Sequence, residues 1–537
     1  MTMSRRDRNY TFVGIMLALF LGAIDQTIVS TALPKIVEDL GGLERYAWVF
    51  TAYMVASTVL VPVYGKLADM YSRKTISLGA VAVFLTGSFL CGLAGEFGPL
   101  PLLGDGMNQL IVFRAIQGMG AAGLFSLAFI VIADLFPPAE RGRYQGIVSA
   151  TFGIASVLGP LLGGFLTDNA TGIIPGVAGW RWVFYVNVPF GALAVWFIAT
   201  RMPPLLPRGE RGRLDLPAAV LLLAGLVPLV TVLQLDRAEH PWTSPLTIGI
   251  LAWSVAMLAL FVWRSLKSPN PILDLTLFRN KVFRSSNMAL FFFGASFLSA
   301  VAFLPLYVVN VVGMSATGAG MALVPLSLAV VFGSMMSGQL VSRYGRYRLI
   351  MLVGTAILIV GIFLLTRLTP DSTLREVTLY MVVVGLGLGP SGPLYTLAVQ
   401  NAVDVRRMGQ ATSATQFFRQ IGGAVGTAVL GSVLATTLAF GFSQHLGELG
   451  TLITASTDGE SISTSGDVIS QIEAAYGGPL PDGLREQVVA GVKLSFTDAI
   501  TTVYKYVLGM AILAFVLTWF IPVLPLRKTF EGAPSER

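Results

Sequence analysis

Two charged residues lie inside apolar runs that would normally exclude them. Asp25 falls within the run around residues 10–33, and Arg114 lies in the run around 109–133. A carboxylate surrounded by lipid must face water, pair with another group or take up a proton. Because removal from water favours its neutral form, Asp25 is a candidate proton carrier, although a carboxylate merely hydrogen-bonded between helices would give the same pattern.

Arg114 is a candidate partner for Asp25. It could bias the protonation of the carboxylate, and Gln117 lies three positions further along, on a nearby face of the same helix. The alternative is that Arg114 extends to the membrane surface, since it lies only about five residues into its run.

A second polar feature is a stripe at helical spacing near residue 419. Its members are Thr412, Gln416, Arg419, Gln420, Gly423 and Thr427. A polar stripe is costly against lipid, so we expect it to line an internal cavity, unless it only joins neighbouring helices. The predicted cavity-lining residues are Gln117, Gln416, Arg419 and Gln420.

The elements that must position these residues are membrane helices. Of the 537 residues, 54% are hydrophobic and 12% are charged, and the mean hydropathy is +0.73. A bilayer core takes about 20 apolar residues per helix, and the apolar runs are continuous rather than alternating, which favours an all-α polytopic protein over a β-barrel. Fourteen such runs lie near 10–33, 48–64, 75–95, 109–133, 144–166, 182–200, 216–235, 245–263, 285–309, 319–341, 349–366, 377–400, 410–440 and 499–523.

Lysine and arginine indicate the orientation. With the N-terminus in the cytoplasm, 25 of the 36 basic residues fall in inner segments and 8 in outer ones. A single missed helix would invert every later loop and remove this bias. The sequence therefore predicts a multi-pass protein of a bacterial inner or plasma membrane, with both termini cytoplasmic, and it explains the net charge of +7 without nucleic acid.

A short internal sequence repeat suggests two related halves. The segment GKLADMYSRK (65–74) resembles GQLVSRYGRY (338–347), and each would follow an even-numbered helix. If the seventh and eighth spans are an insertion, the order is six, two and six, and repeated halves are typical of secondary transporters. The predicted units are an N-terminal six-helix bundle over 1–200, two inserted helices with their loops over 201–270, and a C-terminal six-helix bundle over 271–537 that includes an outer loop at 441–498.

Several further motifs carry a family resemblance. They are LGAIDQTIVSTALPKI, GKLADMYSRK, RAIQGMGAAG, SVLGPLLGG, WRWVFYVNVPFG, PILDLTLFRN and RQIGGAVG. In this order the set resembles the fourteen-helix drug:proton antiporters (QacA/EmrB type) of the major facilitator superfamily, over nearly the whole chain. The resemblance implies the major facilitator fold, proton coupling through Asp25 and Arg114, and export by alternating access.

The resemblance also implies roles for two motifs. Gly65, Asp69 and Arg73 match a gating latch, for which Asp134 is a candidate partner, whereas by charge alone the segment is a basic inner loop. The second copy has Ser342 in place of the acid, so the latch is assigned to the first copy.

SVLGPLLGG matches the antiporter motif of the fifth helix. Gly159, Pro160 and Gly163 would form a bend with close helix contacts, with Gly164 beside them, and the motif favours efflux. By physical reasoning alone it is only a packing kink.

Other chemistry is not supported. His240, His445 and the lone Cys91 supply no plausible metal set. GMGAAG lies within an apolar span rather than after a strand, and no P-loop motif is present, so neither a dinucleotide nor ATP is expected. We predict no cofactor and no enzyme activity, with a proton gradient as the energy source; a membrane enzyme or a channel is the rival of another class.

The sequence thus predicts a proton-coupled antiporter that moves lipophilic, often cationic compounds such as drugs out of the cell, a role that would confer antibiotic resistance. The alternative is an exporter of an endogenous lipid or lipid-like product, which the single acid and the long outer loop would suit. Expected partners are protons, membrane lipids, the small-molecule or lipid cargo and, at loop 441–498, an extracytoplasmic partner.

Overall fold

The structure is a computed structural model, and it describes most of the chain. It covers residues 4–527 apart from 43–44, 102, 171–176, 207–213, 236–239, 315, 448–467, 471, 474–477 and 479.

Fourteen helices of the described part are long and apolar enough to cross a membrane. They are α1 (Arg5–Leu40), α2 (Trp48–Met70), α3 (Arg73–Gly92), α4 (Gly106–Leu135), α5 (Pro138–Asn169), α6 (Gly179–Arg201), α7 (Leu216–Leu233), α8 (Pro245–Lys267), α9 (Lys281–Asn310), α10 (Gly320–Tyr344), α11 (Tyr347–Leu365), α12 (Leu374–Ala402), α13 (Val405–Leu446) and α14 (Gly483–Trp519). Each overlaps most of one of the fourteen predicted runs, so the all-α polytopic fold is confirmed.

Side-chain caps fix several helix ends. Asp105 accepts a hydrogen bond from the backbone N–H of Asn108 at 2.9 Å and so starts α4. At the start of α12, Thr373 and Glu376 each accept from the other's backbone N–H. These caps satisfy N–H groups that the first turn of a helix leaves free, and they fix the residue at which α4, which carries Arg114, begins.

The buried apolar side chains show how the helices group. Two clusters draw only on α1–α6 and the segments beside them, and two others only on α9–α14 and the segments beside them. A further cluster packs α7 and α8 against α2 and α13. This is the six, two and six arrangement of the major facilitator fold, while the exact unit boundaries at residues 200 and 270 stay a prediction.

The two six-helix groups meet along two helix pairs, α2 with α13 and α5 with α10. A Cβ added at Gly65 would overlap Ser413, and one added at Gly338 would overlap the backbone of Gly142. The echoed motifs therefore occupy equivalent contacts, each with a glycine that lets two helices touch.

We name the end of the bundle that holds both chain termini the terminal face, and the other end the opposite face. At the terminal face, Ala139 N–H donates to the carbonyl of Arg527 at 3.3 Å, and the guanidinium of Arg8 lies 5.0 Å from the Phe136 ring.

The predicted outer loop 441–498 is shorter than expected. α13 continues to Leu446, and residues 484–496, which fall within the predicted loop, form the first turns of α14. Val468 and Ile472 are buried in the same cluster as α9–α14, because apolar side chains near the membrane surface can still pack on the bundle. The polar stretch of this loop lies outside the described residues.

Candidate functional site

A fully buried carboxylate lies in the centre of the first six helices. Asp25 on α1 accepts hydrogen bonds from Arg114 Nη1 at 2.5 Å, from Gln117 Nε2 at 2.7 Å and from Asn187 Nδ2 at 3.2 Å. Asp25, Arg114 and Gln117 are each 0% exposed. We call Asp25, Arg114, Gln117 and Asn187 the carboxylate network.

Arg114 is held on several sides. Its Nη1 also donates to Gln117 Oε1 at 2.7 Å, and its Nε donates to the Val49 carbonyl at 3.3 Å. The guanidinium lies 4.2 Å from the centre of the Tyr53 ring, and its Nη2 has no partner. The predicted pairing with Asp25 is present, and the alternative in which Arg114 reaches the membrane surface is wrong, because the side chain is fully buried and turns inward to this carboxylate.

Two members of this region were missed from the sequence. Asn187 on α6 donates to Asp25 and also to Ser88 Oγ on α3, at 3.0 Å, and Ser88 donates to the Phe184 carbonyl at 2.9 Å. Asn187 stands in the quoted motif WRWVFYVNVPFG. The sequence signal for it was an amide inside an apolar run, which is too common in membrane helices to single out Asn187.

The second feature is an ion cluster at the terminal face. Asp69, at the end of α2, accepts from the backbone N–H groups of Gly409 and Gln410 at 2.7 and 2.8 Å. These belong to the first turn of α13, where free N–H groups and the helix dipole attract an anion. Asp69 therefore joins the two six-helix groups, at a place where Gly65 brings the backbones together.

Arg73 and Asp134 complete this cluster. Arg73 Nε donates to Asp134 Oδ2 at 2.9 Å, and Arg73 Nη2 lies 3.8 Å from Asp69 Oδ1. Asp134 is thus the partner expected from the sequence. Ser342, at the matching place of the second copy, is exposed, which agrees with assigning the latch to the first copy alone.

The fifth helix packs on α1 through small residues. A Cβ at Gly159 would overlap Thr27 Oγ1 and lie 2.7 Å from Thr27 Cβ, and one at Gly163 would overlap Thr31 Oγ1. α5 continues through Pro160. The expected close contact at Gly164 is wrong, since a Cβ there would meet nothing within 4 Å: this position faces away from α1.

A cavity of about 200 Å³ lies between the two six-helix groups. α1, α2, α4 and α5 contribute residues on one side, and α9, α10, α12 and α13 on the other. Arg419 and Gln420 of α13 line it, as predicted, together with Gly423.

Two predicted lining residues lie elsewhere. Gln117 is enclosed in the carboxylate network, because its amide turns toward Asp25. Gln416 is 3% exposed and accepts a hydrogen bond from Arg419 Nη2 at 2.9 Å. Helical spacing places Gln416 on the same side as Arg419, but it lies behind the cavity wall and holds the arginine in place.

These features define a polytopic membrane protein of two six-helix groups, with a cavity between them and an ion cluster at one end. The chain belongs to the Major Facilitator Superfamily, whose sequence profile matches residues 15–427. It is a multi-pass membrane protein of this transporter family.

Individual relatives and solved structures agree with this family. The chain is 34% identical over 517 residues to Multidrug resistance protein 3 of Bacillus subtilis (strain 168), which covers 96% of this chain and 94% of the relative. It is 36% identical over 434 residues to the multidrug transporter protein MdtP of the same organism, covering 80% of this chain and 75% of that protein. The proton:xylose symporter XylE, whose structure is solved, shares the fold, with a TM-score of 0.61 at 13% identity over 96% of both chains.

Proposed function

We propose that this protein is a proton-coupled antiporter that exports lipophilic small molecules from the cell by alternating access. The observation that carries the proposal is the carboxylate network, in which a buried Asp25 is matched by a buried Arg114. The names of the multidrug relatives support small-molecule export as the direction and cargo class.

The pairing offers a physical route for coupling. If Asp25 takes up a proton, Arg114 becomes a buried cation without a counter-charge, which is strongly unfavourable. The present arrangement is then destabilised relative to one in which Arg114 is hydrated. Proton binding and conformation are therefore linked, which is what antiport requires.

The conformational step has a candidate latch at the terminal face. Here the face is closed, since Asp69 holds the first turn of α13. Opening this face requires Asp69 to leave those N–H groups, and the cavity between the halves would then be open to the side of the membrane that the terminal face borders. The basic residues favour a cytoplasmic terminal face, so cargo would load there and leave at the opposite face.

The test is substrate-induced proton movement in proteoliposomes that enclose a pH-sensitive dye. Three aromatic probes of different charge are added separately: neutral N-phenyl-1-naphthylamine, anionic 1-anilinonaphthalene-8-sulfonate and cationic ethidium. We expect at least one probe to drive proton counterflow with the wild-type protein and none with Asp25→Asn. Probe movement without any proton movement would contradict antiport, and the same proton movement in Asp25→Asn would remove Asp25 as the carrier.

The energy source, the partner and the alternative cargo are part of the same proposal. We infer that a proton gradient alone supplies the energy, with no cofactor, and that the protein is a carrier rather than an enzyme. Loop 441–498 stays the place where an extracytoplasmic partner would dock. An endogenous lipid cargo would be indicated if none of the three probes moved while an extracted membrane lipid did.

A further inference from the structure

The charge of the central cavity differs from what the sequence suggested. Arg419 is the one charged residue among the described residues that line it. Asp25, which suggested a cationic cargo, is not on the wall: it is 0% exposed and its oxygens are taken by the carboxylate network.

Arg419 has no counter-charge within the described part of the chain. It forms none of the ion pairs found there, and its protein hydrogen bond is the one from Nη2 to Gln416 Oε1. A guanidinium carries five N–H donors, so most of those of Arg419 are left without a protein acceptor in the described part of the chain. Arg419 lies 11 residues after the first α-helical residue, Met408, which places it roughly 17 Å along the helix axis, deep in the membrane.

A cation at this depth is costly unless something pairs with it. Two arginines elsewhere in the bundle are matched by a carboxylate, Arg114 by Asp25 and Arg73 by Asp134. Arg419 instead faces the space between the halves, where a bound molecule would supply a counter-charge.

Two amides extend the donor set around Arg419. Gln420 Oε1 accepts from Thr58 Oγ1 at 2.9 Å, which leaves its amide nitrogen available. Gln26 also lines the cavity, next to Asp25 in the chain. Together with a guanidinium, these donors match the several oxygens of a carboxylate, sulfonate or phosphate group.

The rest of the wall is suited to an apolar body. Phe125 and Phe152 line one side, and Phe293 and Phe297 line the other. Aromatic faces stack on flat rings and pack on alkyl chains, so the cavity combines one cationic point with an apolar surround.

We propose that the cavity selects amphiphilic anions, molecules with an aromatic or aliphatic body and one acidic group that pairs with Arg419. The proposal rests on the proposed function, in that this cavity is the cargo site. A monovalent cation would instead meet an unpaired guanidinium and no carboxylate.

The experiment measures equilibrium binding to protein in lipid nanodiscs, with empty nanodiscs subtracted and no ion gradient. The probes are 1-anilinonaphthalene-8-sulfonate and N-phenyl-1-naphthylamine, which share the same rings and differ by the sulfonate. We expect the wild-type protein to bind the sulfonate more tightly, and Arg419→Gln to weaken sulfonate binding about tenfold or more while leaving the neutral probe nearly unchanged. Arg419→Lys, which keeps the charge but not the planar fork, should fall between.

Arg367→Gln is the matched control, because Arg367 is exposed beyond the end of α11, and it should bind both probes like the wild type. Retained binding of the neutral probe shows that a variant is folded. Equal or tighter wild-type binding of the neutral probe, or unchanged sulfonate binding in Arg419→Gln, would overturn the proposal. If Arg419→Gln binds neither probe, the Arg419→Lys variant gives the answer. Binding of the neutral probe alone by Arg419→Lys would overturn the proposal, and binding of both probes would support it.

Competition separates the sources of the acid. Displacement of the sulfonate by dodecanoate would support a lipid-like acid, and displacement only by naphthoate would support an aromatic one. The binding experiment has no gradient, so it is independent of the proteoliposome test. Anion binding here with no proton movement there would contradict antiport but not this site. Proton movement driven only by neutral N-phenyl-1-naphthylamine would contradict this site but not antiport.

Discussion

The Asp25–Arg114 pair stabilises the first six helices only as a pair. Each charge alone would be buried without compensation, and each would then destabilise the fold. The same property makes the pair suitable for coupling, since one proton changes the balance of the whole network.

Replacement of Asp25 by asparagine tests this balance. The two aspartate oxygens accept from Arg114, Gln117 and Asn187, whereas asparagine offers one oxygen and an amide nitrogen that would face another donor. We expect loss of proton-coupled transport and a lower free energy of unfolding, by about 3 kcal/mol. The measurements are substrate-induced proton flux and the thermal unfolding midpoint of the purified protein.

The double variant Asp25→Asn/Arg114→Gln is its control. Removal of the second charge should recover much of the lost stability and none of the transport. If the single variant unfolds at the wild-type temperature, then Arg114 does not depend on Asp25 for its charge balance.

Residue identity alone revealed only part of this network. Asp25 and Arg114 were predictable because charges are rare inside apolar runs. Asn187 and Ser88 were not, since uncharged polar residues are common in membrane helices. The helical stripe also assigned Gln416 to the wall, although only the packed structure shows that it supports Arg419 from behind.

At the scale of helices, the fourteen spans were predictable because each must match the thickness of the bilayer. The contacts between distant helices were not predictable. Asp69 meets Gly409 and Gln410, which are more than 300 residues away in the chain, and no local pattern links them. The outer loop was predicted too long for a different reason. Hydropathy falls where a helix leaves the membrane even when the helix itself continues, as at the start of α14.

The contact between α1 and α5 supplies the prediction at this scale. A leucine at Gly159 would overlap Thr27 and force α1 and α5 apart, and Thr27 lies two residues after Asp25. Overpacking of this kind costs about 1–3 kcal/mol. We expect Gly159→Leu to reach the membrane but to export at least several-fold more slowly, measured as the initial proton-coupled rate at equal protein density.

Gly164→Leu is the matched control, because it adds the same side chain to the same helix where a Cβ would meet nothing within 4 Å. It should transport like the wild type. Equal slowing in both variants would point to a general effect of bulk in α5 rather than to the contact with α1.

At the scale of the whole molecule, the two charged centres lie apart, and the proposals give them separate tasks. The carboxylate network lies within the first six helices, and Arg419 lies on α13 across the cavity. Gln26 lines that cavity while its neighbour Asp25 points into the network, so one helix touches both. A protein that carries a proton one way and an anion the other moves positive charge inward in both steps.

This sum of charges makes the dependence on membrane potential diagnostic. In exchange for one proton, each cycle moves a net two positive charges inward when the cargo is a monovalent anion. It moves one when the cargo is neutral and none when the cargo is a monovalent cation. Since one charge across 100 mV corresponds to about 2.3 kcal/mol, a potential of 60 mV should change the limiting accumulation about 100-fold for 1-anilinonaphthalene-8-sulfonate and about tenfold for N-phenyl-1-naphthylamine. The measurement is accumulation in inside-out proteoliposomes at equal pH on both sides, with the potential set by potassium and valinomycin, and Asp25→Asn vesicles give the passive distribution to subtract. Accumulation of the sulfonate that follows a pH gradient but not the potential would contradict this charge count and, with it, one-proton exchange for an anion.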